Sequence, residues 1–292
     1  MTGVVDVGGG LRGIYGAGVF DYCLDHGIRF DYCIGVSAGS ANIASYLGNQ
    51  RGRNYSFYLN YSFRRQYMSL SNLFRRGSYI DMDYVYGTLS NQSGENPLDF
   101  GSVERSASVM KVVALNALTG ETIYFDKNDM TQDNYRILMA SSSIPVVCSP
   151  SFINGIPCYD GGIGDPVPIK KAFEDGCDKI VLILTKPVDL LREQKRDLPL
   201  ARKLRRKYPK AAEQLLLRYK KYNDGVAFAK KLALRGKVLI VAPDDCCGMK
   251  TLTKNKTDMD RMYRKGYHDA QALERFLDRE AAAPAQTARS RA

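Results

Sequence analysis

Ser37 is the residue on which chemistry could turn. It stands in Gly35-Val36-Ser37-Ala38-Gly39, between the apolar run from Phe30 to Val36, which reads as a short buried strand, and Ala41 to Leu47, which suits a helix. A strand, a sharp turn and a helix in that order make the setting of a nucleophile elbow. Gly35 and Gly39 leave the turn room against its neighbours, and the central serine is expected in a strained conformation that exposes its hydroxyl. Unpaired N–H groups at the start of the following helix favour a negative charge developing there. The same position also suits a serine that merely caps the helix.

A serine hydroxyl needs a base to act as a nucleophile near neutral pH. The chain has two histidines, His26 and His268, and neither falls at a strand end where a partner for Ser37 is expected. Asp160 does: a hairpin predicted over 151–159, turning at Asn154-Gly155, delivers Asp160-Gly161-Gly162 at its tip. A Ser37–Asp160 dyad is the catalytic reading, and a turn aspartate bonded to local amides is the plainer one.

A second strand, glycine loop and helix opens the chain: Val4 to Val7, then Gly8-Gly9-Gly10-Leu11-Arg12-Gly13, then Ile14 onward. Bare glycine amides beside the elbow could point at the oxygen of a tetrahedral intermediate. The spacing Gly8-x-Gly10-x-x-Gly13 is also a dinucleotide fingerprint, but the next strand ends in the Ser37 turn instead of a ribose-binding acid, and no G-K-[S/T] follows for a phosphate loop. Arg12 could orient the loop, meet an anionic substrate group, or be a solvated charge.

Taken together and in order, Gly8 to Gly13, Gly35 to Gly39 and Asp160-Gly161-Gly162 resemble the three signature blocks of the patatin-like phospholipases, and Ala140 to Pro145 resembles the segment before that family's aspartate hairpin. The resemblance covers roughly residues 1–190. It implies a three-layer α/β/α fold with a mainly parallel sheet, no metal or cofactor, and hydrolysis of lipid acyl esters. On it, Ser37 is the nucleophile, Asp160 the base, and the loop of Gly8, Gly9, Gly10 and Arg12 the oxyanion hole. The carboxyl-terminal region looks like that of a bacterial branch of the family.

The remaining segments must position these groups. A chain of 292 residues with 45% hydrophobic and 25% charged residues can bury a full α/β core. Its seven cysteines lie mostly in apolar segments without C-x-x-C spacing, as buried thiols of a reducing compartment do. No signal peptide or membrane span is expected, which places the protein in the cytoplasm. Residues 110–118 and 122–125 predict a hairpin, 135–143 a helix stopped by Pro145, and 179–187 and 237–243 two buried parallel strands. Between 48 and 101 the periodicity weakens, and aromatics beside arginines suit helices that cover the sheet or rim an apolar pocket.

The net charge of +11 is concentrated in Arg192 to Lys237, with 16 basic and 4 acidic residues. There Leu200, Leu204 and Tyr208 form one helical stripe, and Ala212, Leu215, Leu216 and Tyr219 another after Pro209. The expected division is a core over 1–190, a basic helical insertion over 191–236, a last strand and helix over 237–280, and a disordered tail over 281–292. The basic segment is read first as a solvated face and second as a peripheral contact with anionic membrane; no nucleic-acid motif accompanies it. The alternative to a lipid acyl hydrolase is a non-catalytic anionic-lipid-binding or scaffold protein on the same fold, working through that segment.

Overall fold

Thr2–Asp6 (β1) and Tyr32–Val36 (β2) are buried nearly throughout, as strands covered on both faces must be. The computed structural model, which describes residues 1–278, joins them into an eight-stranded sheet. Between and after them come α1 (Ile14–Asp25), α2 (Ala38–Leu47), α3 (Arg53–Leu59), α4 (Leu70–Arg76), α5 (Phe100–Arg105), β3 (Val109–Asn116), β4 (Thr122–Asp126), α6 (Arg136–Ser142), β5 (Ser151–Ile153) and β6 (Ile156–Asp160). The chain continues through α7 (Ile169–Glu174), β7 (Lys179–Ile183), α8 (Leu198–Leu204), α9 (Pro209–Ala233), β8 (Val238–Val241), α10 (Lys256–Asp269) and α11 (Ala272–Asp278).

The parallel part of the sheet runs β3-β2-β1-β7-β8. The expected three-layer α/β/α fold is present. Tyr15, Phe20, Tyr46, Met259 and Met262 of α1, α2 and α10 pack on one face, and Ile169, Ala172, Val226 and Ala229 of α7 and α9 on the other. Chain order leaves β1 through β2 and β3 on one side and returns to β7 on the other. The crevice at the carboxyl ends of β1 and β7 is therefore the switch point at which such sheets bind ligands.

β3 is the ruler for the site. Val113 pairs with both Val36 and Tyr124, and Ala114 with both Asp160 and Ile123. Since β4 holds one edge of β3 throughout, β2 and the antiparallel β6 share the other edge and meet end to end. The hairpin that carries β6 turns at Asn154 (φ 50°) and Gly155 (φ 79°), as an Asn-Gly pair favours.

The basic segment departs from the expectation in one respect. The helix α8 ends at Leu204, and Tyr208 is instead the residue before Pro209, held at φ −135°, ψ 72° because a following proline disfavours helical backbone. Leu204, Tyr208, Ala212 and Leu215 are buried against Leu115, Tyr159 and Ile163, with Leu200 and Leu216 partly buried beside them. All seven cysteines are free thiols and six are buried. Among the described residues no helix is long and apolar enough to cross a membrane. The tail expected over 281–292 lies outside the described residues.

Candidate active site

Ser37 follows β2 directly and precedes α2, with φ 56° and ψ −128°. An L-residue takes that region only under constraint. The constraint is packing. A side chain on Gly39 would put its Cβ 2.3 Å from the Asp6 carbonyl oxygen, and one on Gly35 would lie 2.5 Å from the Ser40 Cα. A side-chain bond also pins the elbow: the Ser37 N–H donates to Ser141 Oγ at 2.8 Å, and Ser141 Oγ lies 3.1 Å from Ser40 Oγ.

Asp160 ends β6 and is buried. The end-to-end meeting of β2 and β6 puts Asp160 and Ser37 on the wall of one cavity. The Gly162 N–H donates to Asp160 Oδ1 at 2.7 Å, and the Asp160 N–H to the Ser143 carbonyl at 2.9 Å. Burial raises the Asp160 carboxyl above its ordinary range; the nearby Ser37 hydroxyl and the Gly162 N–H, then the charges of Arg218 and Arg192, pull it part of the way back. Gly161 is needed for close approach, since a Cβ there would meet the Val113 carbonyl oxygen at 2.1 Å.

The glycine loop leans on the elbow. Among the described residues the Gly9 and Gly10 amides have no acceptor, whereas the Gly8 N–H donates to Asp6 Oδ1 at 2.8 Å and the Leu11 N–H to the Thr251 carbonyl at 2.8 Å. Gly8, expected in the oxyanion hole, has its amide engaged by Asp6, and its carbonyl accepts from the Thr185 hydroxyl. Gly9 sits at φ 130°, open to glycine and strained for any side chain. Gly13 stands under Tyr58, whose hydroxyl a Cβ would approach to 2.5 Å.

Arg12 is not a solvated charge. It is 7% exposed, donates through its terminal nitrogen to Thr251 Oγ1 at 3.2 Å, and leaves its Nε without a partner among the described residues. Burial lowers its pKa.

Two cavities open from Ser37. One is apolar, walled by Leu11, Phe57, Tyr58, Met68, Val85 and Tyr86. The aromatic stretch between 48 and 101 supplies most of it. The other runs past Gly9, Gly10 and Asp160 to a wall made of Arg12, Lys186, Arg192 and Arg218.

Ser141, Thr185, Thr251, Lys186, Arg192 and Arg218 were not anticipated at the site. Ser141 lies in the Ala140 to Pro145 block already noted, and Thr185 and Lys186 follow β7 at the switch point, a position that strand order alone could have flagged. The two histidines are elsewhere: His26 caps α1 and stacks on Tyr22, and His268 sits on α10 with its Nδ1 3.5 Å from Asp269. No group of three or more potential metal ligands occurs among the described residues.

Residues 7–173 match a family described as patatin-like phospholipase, and residues 208–279 match a domain of unknown function, DUF6363. The protein YjjU of Escherichia coli (strain K12), described as uncharacterized, is 31% identical over 183 residues, or 62% of this chain and 50% of YjjU. The chain therefore spans about half the length of that curated relative. The crystal structure of VipD from Legionella pneumophila superposes with a TM-score of 0.47 at 14% identity, covering 95% of this chain and 67% of VipD.

Proposed function

The chain belongs to the patatin-like phospholipase family, whose model spans more than half of it, and from that premise we propose that it is a serine lipid acyl hydrolase of phospholipase A or lysophospholipase type. The observation that carries the reading is a buried Asp160 lining the same cavity as Ser37, beside two glycine amides that have no acceptor among the described residues.

Asp160 takes the proton as Ser37 Oγ attacks the ester carbonyl, forming the Oγ–C bond. The carbonyl oxygen becomes an oxyanion, and the Gly9 and Gly10 N–H groups receive it. Collapse breaks the C–O bond to the alcohol, which leaves with the proton from Asp160. Water then attacks the acyl-serine with Asp160 again as base, releasing the fatty acid and regenerating the Ser37 hydroxyl. A carboxyl with an ordinary pKa of about 4 is a weak base, and burial makes Asp160 a stronger one. The apolar cavity accepts the acyl chain, its burial contributing about 0.8 kcal/mol per methylene.

The test is release of fatty acid from phospholipid and lysophospholipid in mixed micelles. Wild-type protein turns over at least one of them, and Ser37→Ala and Asp160→Asn each lose about a thousandfold or more in kcat. A protein that binds these lipids but hydrolyses none, in a manner indifferent to Ser37→Ala, is the binding protein of the alternative reading.

A further inference from the structure

The mechanism uses the apolar cavity and the dyad but leaves the second cavity unexplained. Its wall gathers four cations from three distant parts of the chain: Arg12 from the glycine loop, Lys186 just after β7, Arg192, and Arg218 of α9. Asp197 neutralises part of this charge, since both Arg192 and Arg218 bond its carboxylate. Lys186 has no acceptor among the described residues, and the buried Arg12 leaves Nε unpaired. Burial, and then the nearness of Arg12, Arg192 and Arg196, lowers the Lys186 pKa to about 8.

Holding several positive groups together in a partly buried cavity is unfavourable unless an anion joins them. Guanidinium forks and an ammonium match the oxygens of a phosphate ester, and a concave basic wall concentrates such an anion. Ser37 lines both cavities, so an ester bound with its carbonyl at Ser37 sends its acyl chain one way and its alcohol the other.

We propose that the second cavity is a headgroup site for a glycerophosphate ester, held by Lys186 and the Arg192–Arg218 pair with Arg12 at its inner end, so that the protein selects acyl esters of acidic glycerophospholipids over uncharged acylglycerols. This rests on the acyl-hydrolase reading. Three of the four cations lie beyond residue 173, where the family match ends, so the selectivity belongs to the carboxyl-terminal part of this chain.

Two substrates with the same chain test it: 1-oleoyl-glycerol-3-phosphate and 1-oleoyl-glycerol. Wild-type kcat/KM favours the phosphate ester by about a hundredfold, and Lys186→Met lowers that ratio about tenfold, chiefly through KM, as removal of one charged hydrogen bond does. Lys186→Arg restores most of the ratio. Equal kcat/KM for both substrates in the wild type, or a ratio unmoved by Lys186→Met in protein whose Ser37 still reacts with a fluorophosphonate, overturns the site.

The non-hydrolysable ether analogues of both lipids, titrated calorimetrically, separate the two readings. Selective binding of the phosphate ether by protein that hydrolyses neither ester upholds the site and removes the hydrolase. Equal binding of both ethers overturns the site whatever the hydrolysis. Inorganic phosphate binding as tightly as the phosphate ether assigns the cavity to a free anion and overturns the headgroup claim.

Discussion

Val36 and Asp160 occupy consecutive registers on one edge of β3, opposite Val113 and Ala114. Two strands that are 120 residues apart in sequence thereby end face to face, and the residue after Val36 meets the carboxylate at the tip of β6. The two residues are placed by sheet hydrogen bonds and not by loops, the placement that gives a site its precision.

Because burial raises the Asp160 carboxyl and Arg218 opposes it, the acid limb of kcat/KM should report their balance. On the proposed mechanism Asp160 serves as base only when ionised, so activity should fall as pH drops through its pKa. Removing a nearby cation disfavours the ionised form. Arg218→Gln should therefore move the acid limb to higher pH, measured on an uncharged ester. A shift to lower pH would contradict the arrangement.

Asp6 lies fully buried beneath the elbow, accepting the Gly8 N–H and the Asn42 side-chain amide. Burial pushes its carboxyl up to about 6, the two bonds opposing. The raised value means the folded state holds this proton more tightly than the unfolded chain. The resulting stability is present below pH 4 and lost as pH rises to about 6, on the order of 3 kcal/mol. Urea titrations should show Asp6→Asn gaining on wild type across that window; parallel curves would assign Asp6 no linkage.

Asp197, almost inaccessible, receives bonds from both Arg192 and Arg218. Burial pushes its carboxyl up, but those bonds outweigh it and hold the pKa below the ordinary value. Asp197→Asn leaves two largely buried guanidinium groups without a counter-charge and should destabilise the fold by about 3 kcal/mol, read by urea denaturation at neutral pH. In the wild type this contribution is present at neutral pH and fades as pH falls below the usual carboxylate range. A loss under about 0.5 kcal/mol would show the pair to be a surface one in effect.

Ser141→Ala removes the acceptor of the Ser37 N–H. The expected cost is about 1 to 2 kcal/mol of stability for one buried amide left unpaired. A fall in kcat accompanies it as the elbow loosens, with KM little changed. Full activity with unchanged stability would mean that packing alone sets the elbow.

What could be read from sequence was whatever is local. The elbow, the glycine loop and the Asn154-Gly155 hairpin each place their chemistry within a few residues of the glycines that permit it. Ser141, Thr185 and Thr251 touch the site only because the fold brings α6, the turn after β7 and the segment after β8 together beside Ser37 and the glycine loop, and no periodicity encodes that meeting. Lys186, Arg192 and Arg218 were visible as charge but not as a wall, since Arg192 and Arg218 belong to a segment whose arginines mostly face solvent. The Gly8 amide shows the same limit. Its buried partner Asp6 reads in sequence as one more strand residue, so the bond between them is not legible there.

On the proposed mechanism Ser37 is a nucleophile made reactive by Asp160. The most direct measurement of this is labelling with a fluorophosphonate probe, the modified peptide located by mass spectrometry in wild type, Ser37→Ala and Asp160→Asn. Modification should be confined to Ser37 in the wild type, absent in Ser37→Ala, and slowed by about a thousandfold in Asp160→Asn. No labelling of folded wild-type protein, or labelling of Ser37 that is indifferent to Asp160→Asn, would contradict it.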